Sequence, residues 1–363
     1  MRIAQRVKNL REVIPLIAPR QNRLAYIGAN DLTNLGDRGM LDVHRQLLPD
    51  HSVVRFPAGT RNRLLHMYET IFRRPPVQAV LLGGGTLVGR DAYLRRLRGF
   101  EEAFPGLPRF TLGVGVEDPS FGHGRTDWDQ MRRWAQLLER FEVVSVRGPR
   151  SKDILEEVGV ESSVIGDPAL MLGPPAPAPA EEGLVGLNAG IVSDLWGDDP
   201  DLVLSALAEF GRAMASRGRR VRVFTTWGAD LHICRALVSQ IGAAAELVIP
   251  ESPAALLDSV KTCEVVVGVK LHAVVFASAA YVPTVMIDYR PKCSDFHESI
   301  GMGNYTVRTD QVSAGWLCDA VDDLVLQRDQ RVTEIKDRVG RLRSRFEFTA
   351  GRVRDHISNP SHN

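Results

Sequence analysis

Short apolar runs alternate along this chain with longer amphipathic segments, and glycine or proline often stands where a segment ends. The apolar runs predict strands buried on both faces, and the segments between them predict covering helices. In the first half, strands are predicted at residues 24–27, 52–56, 79–82, 110–116, 143–146 and 164–165. In the second half, they are predicted at residues 184–188, 221–225, 246–249, 265–269 and 284–287. This alternation is typical of an α/β fold built on parallel sheets.

Helices are predicted where apolar residues recur at helical spacing. One begins near Met40, and another follows Pro149 and ends at Gly159. Further helices are predicted at residues 202–217, 271–281, 313–328 and 331–346. The acidic run Asp198-Asp199-Pro200-Asp201 precedes the helix at 202, so we interpret it as a helix cap rather than a metal site.

The segment 173–182 is rich in proline and alanine, a composition that excludes helix and central strand and indicates a semi-rigid linker. It separates an N-terminal domain, residues 1–172, from a C-terminal domain, residues 183–363, that ends in the amphipathic helices. The prediction is therefore two Rossmann-like, doubly wound domains facing a cleft, which is where substrates usually bind.

The apolar stretch from Val265 onward could be mistaken for a membrane span, but Lys270, His272 and Pro283 interrupt it. A strand, a short helix and a second strand fit it better. Lys270 and His272 then lie where a strand ends and a helix begins, a position that favours anionic ligands. A buried core histidine is the alternative for His272, although the neighbouring lysine argues against two polar groups in one dry core.

Length and composition limit the class of protein. A chain of 363 residues is too long for one ordinary core, and 44% hydrophobic with 25% charged residues is typical of a soluble globular protein. The net charge of +1 gives no reason to expect nucleic-acid binding. Four scattered cysteines suggest neither disulfides nor zinc and fit a cytoplasmic protein. An amphipathic, basic helix near residues 3–14 either packs on its own domain or attaches to the inner face of a membrane.

Polar and glycine-rich turns follow several other predicted strands. The turn 28–37 carries Asn30, Asn34 and Asp37, and its glycine spacing matches neither a phosphate-binding loop nor a dinucleotide fingerprint. The sequence of this turn is compatible with either a helix cap or a ligand-binding loop. A second turn holds Gly83, Gly84 and Gly85 before Thr86, and three glycines at a strand end favour close approach of a ligand.

Two further strand ends carry charged groups. Arg147 ends one strand, where a guanidinium can clamp a carboxylate or phosphate, although an ordinary ion pair with a nearby acid is the alternative. Asp167 in Gly166-Asp167-Pro168 is interpreted as a capping or orienting residue. His123 lies in a loop and is a weaker candidate for substrate contact.

These motifs, in this order, resemble the polysaccharide pyruvyl transferase family over nearly the whole chain. The matching pieces are Asn34-Leu35-Gly36-Asp37, Gly83-Gly84-Gly85, Ser145-Val146-Arg147, Asp167-Pro168-Ala169, Lys270-Leu271-His272-Ala273, Val282-Pro283 and Tyr289-Arg290-Pro291-Lys292. The chain departs from the family at Lys270, where arginine is usual, so a point charge replaces a two-pronged donor.

The resemblance implies a two-domain glycosyltransferase-B architecture and transfer of pyruvate from phosphoenolpyruvate (PEP) to two sugar hydroxyls, with release of phosphate. It implies that the second domain binds the donor and that neither a cofactor nor a metal is needed. Donor-binding residues would be Arg147, Lys270, Leu271, His272 and Lys292, with His272 and Arg147 catalytic. Because an imidazole titrates near neutral pH, we expect His272 to be the proton donor. Acceptor-binding residues would be Asn30, Asn34, Asp37, Gly84, Gly85, Thr86 and His123.

Two other functions compete with this one. A nucleotide-sugar glycosyltransferase of the same architecture is the first, although no clear acidic ribose-binding motif is present in the second domain. A non-catalytic protein on the same scaffold is the second, and the joint presence of Arg147, His272 and Lys292 argues against it. The sequence does not identify the acceptor sugar or the oligomeric state, and a lipid-linked acceptor is compatible with the basic N-terminal helix.

Overall fold

The computed structural model describes residues 22–29, 31–56, 77–123 and 125–358. The predicted basic N-terminal helix and Asn30 lie outside the described residues, so membrane attachment through that helix stays a prediction. Within the described residues the chain forms fourteen strands and eleven α-helices.

The first half is built on a four-stranded parallel sheet. Its strands lie in the order β2 (Ser52–Arg55), β1 (Arg23–Ile27), β3 (Ala79–Gly83) and β5 (Arg109–Leu112). Its strands β1 and β3 are buried along their whole length, as expected for a sheet covered on both faces. A parallel bridge between Phe110 and Val143 continues the sheet beyond β5. The elements of this half are β1 (Arg23–Ile27), α1 (Leu35–Leu47), β2 (Ser52–Arg55), β3 (Ala79–Gly83), β4 (Thr86–Val88), α2 (Asp91–Ala103), β5 (Arg109–Leu112), β6 (Gly115–Val116), α3 (Trp128–Leu138), β7 (Ser145–Val146), α4 (Pro149–Glu157), β8 (Ser163–Val164) and the 3₁₀ helix Pro168–Leu172.

The second half is built on a six-stranded parallel sheet. Its strands lie in the order β11 (Ala245–Val248), β10 (Arg220–Phe224), β9 (Leu184–Asn188), β12 (Val265–Gly268), β13 (Thr284–Asp288) and β14 (Thr306–Arg308). Numbered within this half, the order is 3-2-1-4-5-6, which is that of the Rossmann fold. Its elements are β9 (Leu184–Asn188), α5 (Pro200–Ser216), β10 (Arg220–Phe224), α6 (Leu231–Ile241), β11 (Ala245–Val248), α7 (Pro253–Val260), β12 (Val265–Gly268), α8 (Leu271–Ala279), β13 (Thr284–Asp288), α9 (Pro291–Ser299), β14 (Thr306–Arg308), α10 (Ala314–Leu326) and α11 (Arg328–Ser358), with 3₁₀ helices at Gly228–Asp230 and Gly303–Tyr305. The predicted α/β fold with doubly wound parallel sheets is confirmed.

Several predicted elements differ from the observed ones. The strand predicted at 110–116 breaks at Gly113, which has a φ of 68°, so that β5 and β6 belong to different sheets. Helix α1 begins at Leu35 rather than near Met40, because Asn34 caps it by accepting from the backbone N–H groups of Gly36 and Asp37. Helices α2, α3, α6, α7 and α9 were not predicted.

The last helix, α11, joins the cores of the two halves. Ile335, Val339 and Leu342 pack in the core of the second half, whereas Phe346 and Val353 pack against the first sheet. The sequence analysis assigns all of residues 183–363 to the second domain, whereas the end of α11 packs on the sheet of the first half. Amphipathic periodicity shows that a helix has a buried face, but not which core that face covers.

The Pro-rich segment is held at its start by α11. The guanidinium of Arg343 donates to the carbonyl oxygens of Leu170 (2.8 Å), Pro174 (3.1 Å) and Ala279 (2.8 Å). A Cβ at Gly173 would lie 1.9 Å from the Ala279 carbonyl oxygen, so glycine is required there. The segment is thus fixed where it leaves the first half.

The acidic run before α5 has the structural role expected of it. The Asp199 carboxylate accepts from the backbone N–H groups of Asp201 and Leu202, both at 3.0 Å, and so caps the helix.

Candidate active site

A cavity of about 220 Å³ lies between the two halves, at the carboxyl ends of both sheets. In the first sheet the strand order reverses between β1 and β3, and in the second between β9 and β12. Ligands of open α/β sheets bind outside such switch points. The first half contributes Ala29, Asn34, Asp37, Gly85, Thr86, Leu87, Arg90, Tyr93, Glu117 and Arg147 to the lining. The second half contributes Thr226, Trp227, Lys270, Leu271, His272, Tyr289, Arg290 and Lys292.

Most of the sequence-predicted site residues line this cavity, and they come from both halves. Gly84, which has a φ of 56°, does not line it, and a Cβ at this position would contact Met40 and Tyr26 instead. His123 does not line it either: its ring packs on Phe121 and its Nδ1 lies 3.9 Å from Asp198.

Arg147 is buried and lies along the floor of the cavity. Its Nη2 donates to Thr86 Oγ1 at 3.1 Å, and its Nη1 lies 3.7 Å from Asp167 Oδ2. A Cβ at Gly115 would lie 2.5 Å from Nη2, so the guanidinium needs glycine there. The sequence leaves two hypotheses for Arg147, an ion pair with a nearby acid and contact with an anionic ligand. The structure is compatible with both, because Arg147 faces both Asp167 and the cavity.

His272 crosses from the second half toward α1, where its ring fits because residue 36 is glycine; a Cβ there would lie 2.0 Å from Nδ1. Its Nε2 lies 3.9 Å from Asp167 Oδ2, and Asp167 also caps the following 3₁₀ helix by accepting from Ala169 N–H at 2.9 Å. The capping role expected of Asp167 thus has a structural basis.

The titration expected of His272 is wrong for the unliganded protein. Burial lowers the pKa of the imidazole to about 4, and the charges of Arg147 and Lys292 act in the same direction while Asp167 opposes them. His272 is therefore neutral near pH 7. An anion that neutralised Arg147 and Lys292 would raise this pKa.

Lys292 lies in the first turn of α9, with its Nζ 4.8 Å from the centre of the Tyr289 ring. Burial lowers its pKa to about 8, and the nearby guanidinium groups of Arg290 and Arg147 contribute to the shift. Cations crowded closely enough to depress an ammonium pKa form a site prepared for an anion.

Lys270 reaches the cavity but already has partners. Its Nζ donates to the Ile191 carbonyl oxygen, lies 3.5 Å from the buried Asp230 carboxylate and sits 5.3 Å from the Trp227 ring centre. Part of its charge is thus balanced within the second half, which distinguishes it from Lys292.

Asp37 brings a carboxylate into the same cavity. It lies in the first turn of α1 and accepts from the Asp31 backbone N–H at 3.1 Å. Burial raises its pKa to about 6, and Lys292 opposes this rise. A carboxylate with such a pKa is suited to accept a proton near neutral pH.

Sequence reasoning missed several residues of the cavity. Arg290 donates to Asp194 Oδ2 at 3.1 Å, and Arg125 of the first half donates to the same oxygen, so Asp194 joins the two halves at the mouth of the site. Trp227 Nε1 donates to Thr33 Oγ1 at 3.1 Å across the same boundary. Trp227 follows the carboxyl end of β10, and that position could have identified it.

A larger cavity of about 430 Å³ lies beside α5 and α6 in the second half. Its lining, within the described residues, includes neither lysine nor arginine and is mostly apolar, so it lacks the charge that an anionic donor needs. Across the described ranges, no group of three or more His, Cys, Asp or Glu side chains is arranged to hold a metal ion. No described helix has the length and apolar character needed to cross a membrane.

The order of motifs along the chain has a counterpart among known families. The family model of polysaccharide pyruvyl transferases matches residues 34–291, which include Asn34 at the first turn and Tyr289 beside the ammonium group of Lys292. The chain belongs to the polysaccharide pyruvyl transferase family. A comparison with curated proteins finds no match.

Solved structures similar to this family member share its architecture. A UDP complex of Staphylococcus aureus MnaA superposes with a TM-score of 0.62 at 10% identity, covering 94% of this chain and 96% of that one. UDP-GlcNAc 2-epimerase from Neisseria meningitidis, bound to UDP-GlcNAc, gives 0.55 at 9% identity, with coverage of 92% and 100%. The glycotransferase of kitacinnamycin gives 0.54 at 14% identity, with coverage of 94% and 99%. At these identities the likeness establishes the glycosyltransferase-B-like fold.

Proposed function

We propose that this pyruvyl transferase family member takes the pyruvate unit of PEP and attaches it to two hydroxyls of one sugar as a cyclic ketal, releasing phosphate. The observation that carries the proposal is the convergence of Arg147 from the first half with His272 and Lys292 from the second at one buried cavity. PEP carries a phosphate and a carboxylate close together, so its site needs several cations.

Arg147 would bind one of these anionic groups with its guanidinium, while Lys292 would meet the other from the opposite wall. Both are poorly hydrated in this cavity, and a charge interaction is stronger where water is excluded. Lys270 and Leu271 would close the donor site at the start of α8, with Lys270 supplying a weaker contact because Asp230 shares its charge. This donor chemistry needs no resident cofactor, because side chains supply the charge.

The reaction requires three proton movements, because two protons leave the sugar hydroxyls and one adds to C3 of PEP. In the first step a sugar hydroxyl oxygen bonds to C2 of PEP, its proton goes to a base, and C3 gains a proton to become a methyl group. In the second step the bond between C2 and the phosphate oxygen breaks, phosphate leaves, and the second hydroxyl bonds to C2 and loses its proton. The result is a cyclic ketal that keeps the three carbons of PEP and its carboxylate oxygens, while the C2 oxygen leaves with the phosphate.

Asp37 is the candidate base and His272 the candidate acid. Asp37 is ionised above about pH 6 and lies beside the turn expected to hold the acceptor. His272 would gain its proton when the donor neutralises Arg147 and Lys292, and the negative charge of Asp167 would favour the protonated ring. Protonation would thus be coupled to donor binding.

The acceptor would occupy the side of the cavity formed by the first half. Gly85 and Thr86 lie at a strand end there, Tyr93 supplies aromatic surface, and Trp227 adds aromatic surface from the second half. Asn34 uses its side-chain oxygen to cap α1, so we assign it to shaping the turn and Asp37 to contacting the sugar.

Raising the pH is expected to weaken donor capture through Lys292. Because its pKa is lowered to about 8, the ammonium loses its charge above that pH. The profile of kcat/KM for PEP, which reports on free enzyme, should fall roughly tenfold per pH unit above about pH 8. The Lys292→Arg variant keeps its charge, so its kcat/KM should begin to fall only above about pH 10. If kcat/KM of the variant still falls from about pH 8, the fall belongs to another group.

A thermal-shift series tests the donor assignment directly. PEP at about 100 times its Kd should stabilise the protein by about 2.7 kcal/mol, a rise in midpoint of about 3.5 °C for a chain of 363 residues. Pyruvate and inorganic phosphate, added separately, each carry one of the two anionic groups and should give smaller shifts at the same concentration. Stabilisation by UDP-sugars with no response to PEP would favour a nucleotide-sugar glycosyltransferase instead.

A further inference from the structure

Helix α4 begins directly after Arg147, yet its N-terminus receives no cap from its own segment. The N-cap residue is Gly148, which has no side chain to accept a hydrogen bond. The cap comes from the other half: Asp295 of α9 accepts from the Ser151 backbone N–H at 3.1 Å and from Ser151 Oγ at 2.6 Å. An N-terminal helical turn is thus completed across the boundary between the two halves.

This contact is buried and closely fitted. Asp295 is 2% exposed and Ser151 is 1% exposed. A Cβ at Gly148 would lie 2.2 Å from Asp295 Oδ1, so only glycine admits the carboxylate. Ser151 Oγ also accepts from the Val116 backbone N–H at 3.1 Å, which extends the chain of hydrogen bonds into the first half.

Burial raises the pKa of the Asp295 carboxyl group, and the nearby charge of Arg147 and the hydrogen bonds from Ser151 oppose this rise without a direct ion pair. Across the described residues no lysine or arginine nitrogen lies within ion-pair distance of its carboxylate. A carboxylate at a helix N-terminus is favoured by the free backbone N–H groups and by the helix dipole. Separating the two halves would expose both the carboxylate and the uncapped N–H groups to water.

The contact between Ser151 and Asp295 lies close in sequence to the two cations proposed to bind the donor, on both helices. Arg147 lies two residues before α4, and Lys292 lies about one helical turn before Asp295 on α9. We propose that Asp295 is a positioning residue, which caps α4 across the boundary and thereby fixes Arg147 and Lys292 at the spacing needed to bind the donor. The donor part of this inference rests on the proposed function.

Asp295→Ala and Ser151→Ala test the proposal, with Asp153→Ala as the matched control because Asp153 is exposed on α4 itself. Without ligand, amide hydrogen exchange in residues 147–157 should become faster in Asp295→Ala, which removes both acceptor oxygens, and stay as in wild type in Asp153→Ala. With PEP, the KM should rise about tenfold in Asp295→Ala while kcat changes by less than about threefold. The KM of the double variant should be close to that of Asp295→Ala alone, because Ser151 meets the second half through Asp295 and its bond from Val116 lies within the first half.

Wild-type exchange and a wild-type KM in Asp295→Ala would overturn the proposal. Faster exchange with an unchanged KM would retain the cap but overturn the positioning role. If Asp295→Ala does not fold, Ser151→Ala decides, since it removes the hydroxyl contact and keeps the buried carboxylate in place: faster exchange with a raised KM would support the proposal, and wild-type values of both would overturn it. A wild-type protein that does not bind PEP would refute the proposed function, and the exchange measurement would still decide whether Asp295 is the cap.

Discussion

Replacing Arg147 with lysine is expected to raise the KM for PEP by about 100-fold, which corresponds to about 2.7 kcal/mol. The guanidinium can contact a phosphate or carboxylate through two parallel N–H groups while Thr86 holds its Nη2, and an ammonium offers only a point charge. Steady-state rates of phosphate release at varied PEP concentration measure the effect.

The charge-preserving change separates donor binding from folding, because lysine keeps a cation near Asp167. Arg132→Lys is the matched control, since Arg132 lies on the exposed face of α3 with 66% of its side chain exposed. The control should leave the KM unchanged. If the Arg147 variant also keeps its KM, the residue is no donor ligand and acts only as the partner of Asp167.

Replacing His272 with alanine is expected to lower kcat by about 1,000-fold, the middle of the range for loss of a general acid. The KM for PEP should change less, because Arg147 and Lys292 remain to bind the anionic groups. His232→Ala, which alters an exposed histidine of the same half, is the control and should behave as wild type. Near-wild-type turnover in His272→Ala would remove the imidazole from the acid role.

The strands and their order of appearance could be predicted because continuous apolar runs such as Val265–Gly268 have few other interpretations in a folded chain. The ends of those strands then located Arg147, Lys270 and His272. What could not be predicted is which side chains meet across the boundary. The end of α11 and the Asp295 cap depend on packing between residues far apart in sequence.

The titration of the site was also beyond sequence reasoning. A histidine is expected to titrate near neutral pH, but burial and two neighbouring cations depress the pKa of His272 to about 4. The same environment depresses the pKa of Lys292 and raises that of Asp37. These shifts depend on the distances between residues of the two halves. Lys270 matches the position of a family arginine, but this resemblance does not indicate that Asp230 shares the charge of the lysine.

The joint arrangement explains why the site would suit a small donor with two anionic groups. Arg147 approaches from the first half, and Lys292, Arg290 and His272 approach from the second. Two such halves bind an anion tightly only when they are held together, and contacts such as those of Asp194 and Asp295 lie beside these cations.

The central claim is that the cavity between the halves catalyses addition of sugar hydroxyls to PEP with protonation of its methylene carbon. The most direct measurement is a reaction in deuterated water with PEP and a mixture of glycans, followed by mass spectrometry and phosphate assay. The expected result is a glycan ketal whose methyl group carries deuterium from solvent, with one phosphate released for each ketal, and loss of both in His272→Ala. Phosphate release without a ketal, or a phosphorylated glycan in its place, would contradict the claim.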